Sequence, residues 1–148
     1  MLSPLQLFLA EQVRSSIVDW CQHNPGVYHP SLEGGCGIAS YSLWKVYLAF
    51  GFPAELVGNS GHCFLKLGDL IVDLTATQFF QAPEVYVVIL RSGPEKSYYH
   101  RVEYCNQEMI DQFKTWPRDQ RPFQYEDKIA ALIQELSFVK DVPEWRRQ

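Results

Sequence analysis

The chain has 148 residues, which fits a single domain spanning 1–148 and leaves little room for a second. It is 47% hydrophobic, 14% aromatic and 20% charged, a balance that excludes intrinsic disorder as the main state. A formal charge of −4 argues against a general grip on nucleic acid, and the lack of any run of about 18 apolar residues argues against a membrane span. The apolar stretch Leu5 to Val13 is interrupted by Gln6, Glu11 and Gln12 and has no basic leader, so no secretory signal is expected. The expected location is the cytoplasm, or another cell into which the protein is delivered. Four cysteines, at 21, 36, 63 and 105, show none of the short paired spacings of a zinc site. Reduced thiols are expected, with no metal and no cofactor.

In chain order, Ser3-Pro4 predicts a helix start, and Leu5, Phe8, Leu9, Val13, Ile17 and Trp20 recur along one helical face. Asn24-Pro25-Gly26 ends that helix, and a loop runs to Gly35. A second helix is predicted from Cys36, buried through Ile38, Ala39, Leu43, Val46, Tyr47 and Phe50 and widened by Trp44 and Leu48. Gly51 is placed to cap it, with Pro53 beyond. The period then changes. Ala54 to Val57, His62 to Leu67, Leu70 to Thr75, Glu84 to Leu90 and Tyr98 to Tyr104 read as strands. Gly68-Asp69 joins two of them as a two-residue hairpin loop. Glu108 to Trp116 predicts a short helix, and Tyr125 to Val139 a longer one with Ile129, Leu132, Ile133 and Leu136 on one side. The fold class is α+β: a helix packed on an antiparallel sheet, with further N- and C-terminal helices.

Three residues carry the candidate chemistry. Gly34-Gly35-Cys36-Gly37 sets a thiol at a helix start, where free backbone N–H groups and the helix dipole favour the thiolate. By itself this position fits a small buried residue at least as well as a nucleophile. The hairpin adds to it. With Gly68-Asp69 as the loop, Phe64 lies opposite Asp73, and His62 and Asp73 become diagonal neighbours on one face. A carboxylate beside an imidazole orients it and stabilises its charged form. A slip of one residue would send the two side chains to opposite faces.

The order Cys36, His62, Asp73, with Asp73-Leu74-Thr75 closing the second hairpin strand, resembles the core of transglutaminase-like proteins. These belong with the papain-like cysteine hydrolases, among them peptidases, arylamine N-acetyltransferases and glutamine deamidases. The resemblance covers roughly Leu32 to Phe79, about a third of the chain. It implies a Cys36–His62–Asp73 triad forming a thioester, with a protein or peptide as substrate. A peptidase or protein-glutamine deamidase is expected ahead of a cross-linking enzyme. Two positions depart from the family's pattern. Phe64 stands where a Trp is more usual, and no glutamine precedes Cys36 to help hold an oxyanion. The Cys36 backbone N–H is one donor; Asn24, Tyr28, His29 and Gln78 are candidates for a second.

The other cysteines read as structural: Cys63 alternates away from His62 into the core, Cys21 lies on the first helix, and Cys105 follows a strand. His23 and His29 are placed to line a cleft but read as solvated loop residues, His100 stands beside Tyr98 and Tyr99 with no partner to name, and the arginines at 118, 121, 146 and 147 read as small basic surface spots. The competing reading from another class is a catalytically silent binding module of the same fold. Zinc held by Cys36, His62 and Asp73 ranks last, because its ligand spacing is poor.

Overall fold

The computed structural model describes residues 1–23, 32, 35–59, 61–89, 99, 102–113, 115, 116 and 123–145. The expected loop from Asn24, the break at Ser92-Gly93-Pro94, and His29, His100 and the four named arginines lie outside the described residues.

Helix α1 spans Pro4–Gln22 and starts as the sequence predicts. The Ser3 hydroxyl accepts from the Gln6 N–H, and the Gln6 side chain accepts in return from the Ser3 N–H, which closes a capping box. Its buried stripe is Leu9, Ala10, Val13, Arg14, Ile17 and Cys21, so Leu5, Phe8 and Trp20 only flank the core. Arg14 is the unexpected member. Its guanidinium reaches across to the Leu74 carbonyl (Nε to O, 2.9 Å), to Thr77 and to Glu84 (3.3 Å). A buried charge is tolerated only when satisfied in this way. The contact ties α1 to the chain just after Asp73.

Helix α2 spans Cys36–Ala49 and is the central helix, with every residue from Gly37 to Leu43 buried. Leu48, expected to widen its apolar face, is exposed instead. Gly37 is required by packing, since a Cβ there would meet the Phe113 ring at 2.4 Å. Gly51 follows the C-cap with φ +83°, the left-handed turn that ends a helix. The Tyr47 hydroxyl donates to the Gln6 carbonyl at 2.8 Å and locks α2 to α1.

Strands β1 (Glu55–Asn59), β2 (His62–Leu67), β3 (Leu70–Asp73), β4 (Tyr86–Ile89) and β5 (Glu103–Tyr104) form an antiparallel sheet in the order β4-β3-β2-β1-β5. The β2–β3 register is the predicted one, with Leu67 opposite Leu70 and Leu65 opposite Val72. Gly68 has φ +62°, as the first residue of a II′-type turn demands. Strand β3 stops at Asp73 rather than Thr75. The Asp73 carboxylate accepts from the Thr75 N–H at 2.8 Å, an Asx turn that leads the chain into a short 3-10 segment at Ala76–Gln78.

Helix α3 is Gln107–Phe113, shorter than the predicted span. Thr115–Trp116 (β6) pairs instead with Phe123–Gln124 (β7). Helix α4, Glu126–Leu136, continues as a 3-10 segment through Ser137–Asp141, and it buries Ile129, Leu132 and Leu136. Among the described residues, the chain is thus α+β, with four α-helices and a five-stranded antiparallel sheet. No helix among them is long and apolar enough to cross a membrane.

Candidate active site

The site lies where the N-terminus of α2 meets the start of β2. Cys36 is the first residue of α2, and its cap, Gly35, supplies no side-chain hydrogen bond. Among the described residues, no side chain caps the first-turn N–H groups beside the thiol. The Cys36 side chain is partly buried, whereas His62 and Asp73 are both buried.

The His62 imidazole spans the gap between thiol and carboxylate. Its Nε2 bonds Asp73 Oδ2 at 2.5 Å. Its Nδ1 is buried and has no hydrogen-bond partner among the described residues, and the Cys36 thiol lies within electrostatic range of the ring, so Nδ1 is the nitrogen left to serve it. Rings flank it, with Phe79 edge-on at 4.6 Å and Phe64 at 5.7 Å between centroids. Phe79 is 36% exposed, so it forms an apolar wall beside the imidazole that a substrate can touch.

Asp73 is saturated. Oδ1 accepts from the Thr75 N–H (2.8 Å) and hydroxyl (3.3 Å), and Oδ2 accepts from His62 and from the Tyr99 hydroxyl (2.8 Å). A buried carboxylate with every lone pair engaged is fixed in place, and it fixes the ring it holds. Tyr99 is itself buried, packed edge-on to Phe64 at 4.9 Å and stacked on Tyr86 at 6.1 Å.

These neighbours change the acidity of both reactive groups. A hydrogen bond from the Cys63 thiol is the largest influence on Cys36. Burial opposes it, and the His62 hydrogen bond and charge add to it, taking Cys36 from 9.0 down to about 4. Burial alone would lower His62, but the hydrogen bonds and charges of Asp73 and Cys36 outweigh it and raise the imidazole from 6.5 to about 9. Between those limits the charged pair, thiolate and imidazolium, is the favoured state. The Cys63 thiol moves the opposite way. Its hydrogen bonds with Cys105 and Cys36, together with burial, keep it protonated.

The structure therefore brings together all three predicted site residues. Compared with known families, curated proteins and solved structures, the chain matches none. Of the candidates for a second oxyanion donor, Asn24, Tyr28 and His29 lie outside the described residues. Gln78 donates its amide to Thr75 at 3.1 Å. Among the described residues no cluster of His, Cys, Asp and Glu could hold a metal ion.

Two contributors escaped the sequence reading. Tyr99 comes to Asp73 from 26 residues downstream, and nothing local in the sequence marks that contact. Cys63 does point away from His62 into the core, as expected, but there it lies near enough to Cys36 to lower its pKa. The alternation argument placed it on the correct face without marking its nearness to Cys36.

Proposed function

We propose that this protein is a thiol-dependent amide hydrolase or acyltransferase with a papain-like, transglutaminase-like core, in which Cys36, His62 and Asp73 act as a triad. The observation that carries the reading is the single imidazole held by Asp73 through Nε2, with Nδ1 left for a thiol at a helix N-terminus. The thiolate attacks the carbonyl carbon of an amide, and the carbonyl π pair moves onto oxygen beside the first-turn N–H groups of α2. As that pair returns, the C–N bond breaks and the amine leaves with the proton from His62. A thioester remains. Water, deprotonated by His62, attacks the thioester carbon; the C–S bond breaks, the Cys36 thiolate leaves and an acid is released, whereas an amine in place of water gives transamidation. The proposed substrate is a protein or peptide, with peptide cleavage or glutamine deamidation ahead of cross-linking.

The test is alkylation by iodoacetamide from about pH 5 to 9, with the labelled residue located by mass spectrometry. Fast labelling confined to Cys36, maintained below neutral pH and lost in His62→Ala, is expected. Release of ammonia or new peptide ends from glutamine-containing peptides then separates deamidation from cleavage. Labelling of Cys36 at the rate of an ordinary thiol, indifferent to His62, would sink the triad and leave a binding module of the same fold.

A further inference from the structure

We propose that Cys63 is a resolving thiol for Cys36, so that oxidation of the site by a hydroperoxide ends in a reversible Cys36–Cys63 disulfide. The inference rests on the triad reading, because it needs Cys36 to be a thiolate beside His62.

Geometry brings the two residues together. Ser40 lies one turn beyond Cys36 on the same side of α2, and its hydroxyl donates to the Cys63 carbonyl at 3.0 Å. That bond pins the first turn of α2 onto β2 at Cys63. Directly across from Cys63 on β1 is Gly58. A Cβ there would lie 3.4 Å from the Cys63 sulfur and 2.7 Å from the His62 carbonyl oxygen, so only glycine leaves this space open. The Cys63 thiol also lies within electrostatic range of Cys36 on one side and Cys105 on the other. Cys105 is anchored on the far side of β1 by its N–H to the Leu56 carbonyl, 3.1 Å. Packing alone asks only for a small apolar residue at 63. It does not ask for a second thiol where the first turn of α2 meets β2.

Exposure sets the order of events. Cys36 is partly exposed and Cys63 is buried, so peroxide meets Cys36 first. The thiolate attacks one peroxide oxygen; the S–O bond forms, the O–O bond breaks, and the alcohol (water, from hydrogen peroxide) leaves with the proton from His62. Cys36 is then a sulfenic acid, oxidised by two electrons, and the peroxide is reduced by two. The Cys63 thiol attacks the Cys36 sulfur and gives up its proton as it does so. The S–S bond forms, the S–O bond breaks, and hydroxide leaves as water with that same proton. The nucleophile is then masked until an external thiol reduces the bond.

The experiment treats the full chain with hydrogen peroxide, blocks free thiols and maps peptides by mass. A Cys36–Cys63 crosslink with a loss of about 2 Da is expected, and Cys36 alkylation falls at least about tenfold until dithiothreitol restores it. In Cys63→Ser the same dose leaves Cys36 about 32 Da heavier as a sulfinic acid that dithiothreitol does not reverse. Cys105→Ser still forms the crosslink. Sulfinic acid on Cys36 of the wild type, or a bond to Cys105 instead, would overturn the inference. If untreated Cys36 labels fast at acid pH while peroxide yields no disulfide, only this inference fails; if it labels as an ordinary thiol, the triad reading fails with it.

Discussion

The sheet has two faces built from alternate residues of the same strands, and they are held together by different physics. Toward α2 lie Leu56, Cys63, Leu65 and Val72, merged with the apolar sides of α1, α2 and α4. The opposite face carries Val57, Phe64, Ile71 and Tyr99, with His62 and Asp73 at its end. The first face is stabilised by burial, roughly 25 cal/mol per Å² of apolar surface, and any well-fitting hydrocarbon serves it. The second is organised around one carboxylate that four donors address. There, atom identity matters more than volume. The comparison teaches that β2 and β3 can be rigid through one face and reactive at the end of the other. Cys36 stands at the start of α2, beside both His62 and Cys63.

Substitutions can break that contrast. Asp73→Ala should be the most damaging, because it leaves His62, Tyr99 and Thr75 donors buried without an acceptor. A loss of about 3–5 kcal/mol in urea unfolding is expected, together with loss of acid-pH alkylation at Cys36. Leu65→Ala on the α2 face should cost about 2–5 kcal/mol of stability through a cavity, yet leave the pH profile of Cys36 alkylation where it was. A shift of that profile in Leu65→Ala would erase the distinction between the faces.

Tyr99→Phe keeps the ring packing and removes one donor from Asp73 Oδ2. It should cost about 1–2 kcal/mol and, since the carboxylate then pulls harder on His62, keep the imidazolium to higher pH. An NMR titration of His62 reads this, and a downward shift would contradict the assignment. The smallest effect is expected at the far end of α1. Ser3→Ala loses the capping box for about 1 kcal/mol by thermal unfolding, with the site unaffected. For turnover, the signs give a bell. Protonation of Cys36 below about pH 4 removes the nucleophile, and deprotonation of His62 above about pH 9 removes the acid that frees the amine.

Features set by short-range rules were legible in the sequence. Ser3-Pro4 started α1, Gly51 ended α2, and the two-residue Gly68-Asp69 loop fixed the register that puts His62 and Asp73 on one face. Arg14 was readable in principle, since it falls on the helical stripe of Ala10, Val13 and Ile17, but its charge argued for solvent. The short α3 was not readable, because the pairing of Thr115–Trp116 with Phe123–Gln124 competes with continuing the helix. Contacts set by the path of the chain were hidden altogether. Tyr99 on Asp73 and Cys63 against Cys36 depend on which elements pack together, and no periodicity encodes that.

The central claim is that Cys36 and His62 are a charged pair at neutral pH. Its most direct test is the ultraviolet absorbance of the thiolate, followed from about pH 3 to 10 as the difference between wild type and Cys36→Ser. The account predicts that the difference rises near pH 4 and is complete well below neutrality. A difference that rises only near the ordinary 9.0 would contradict it.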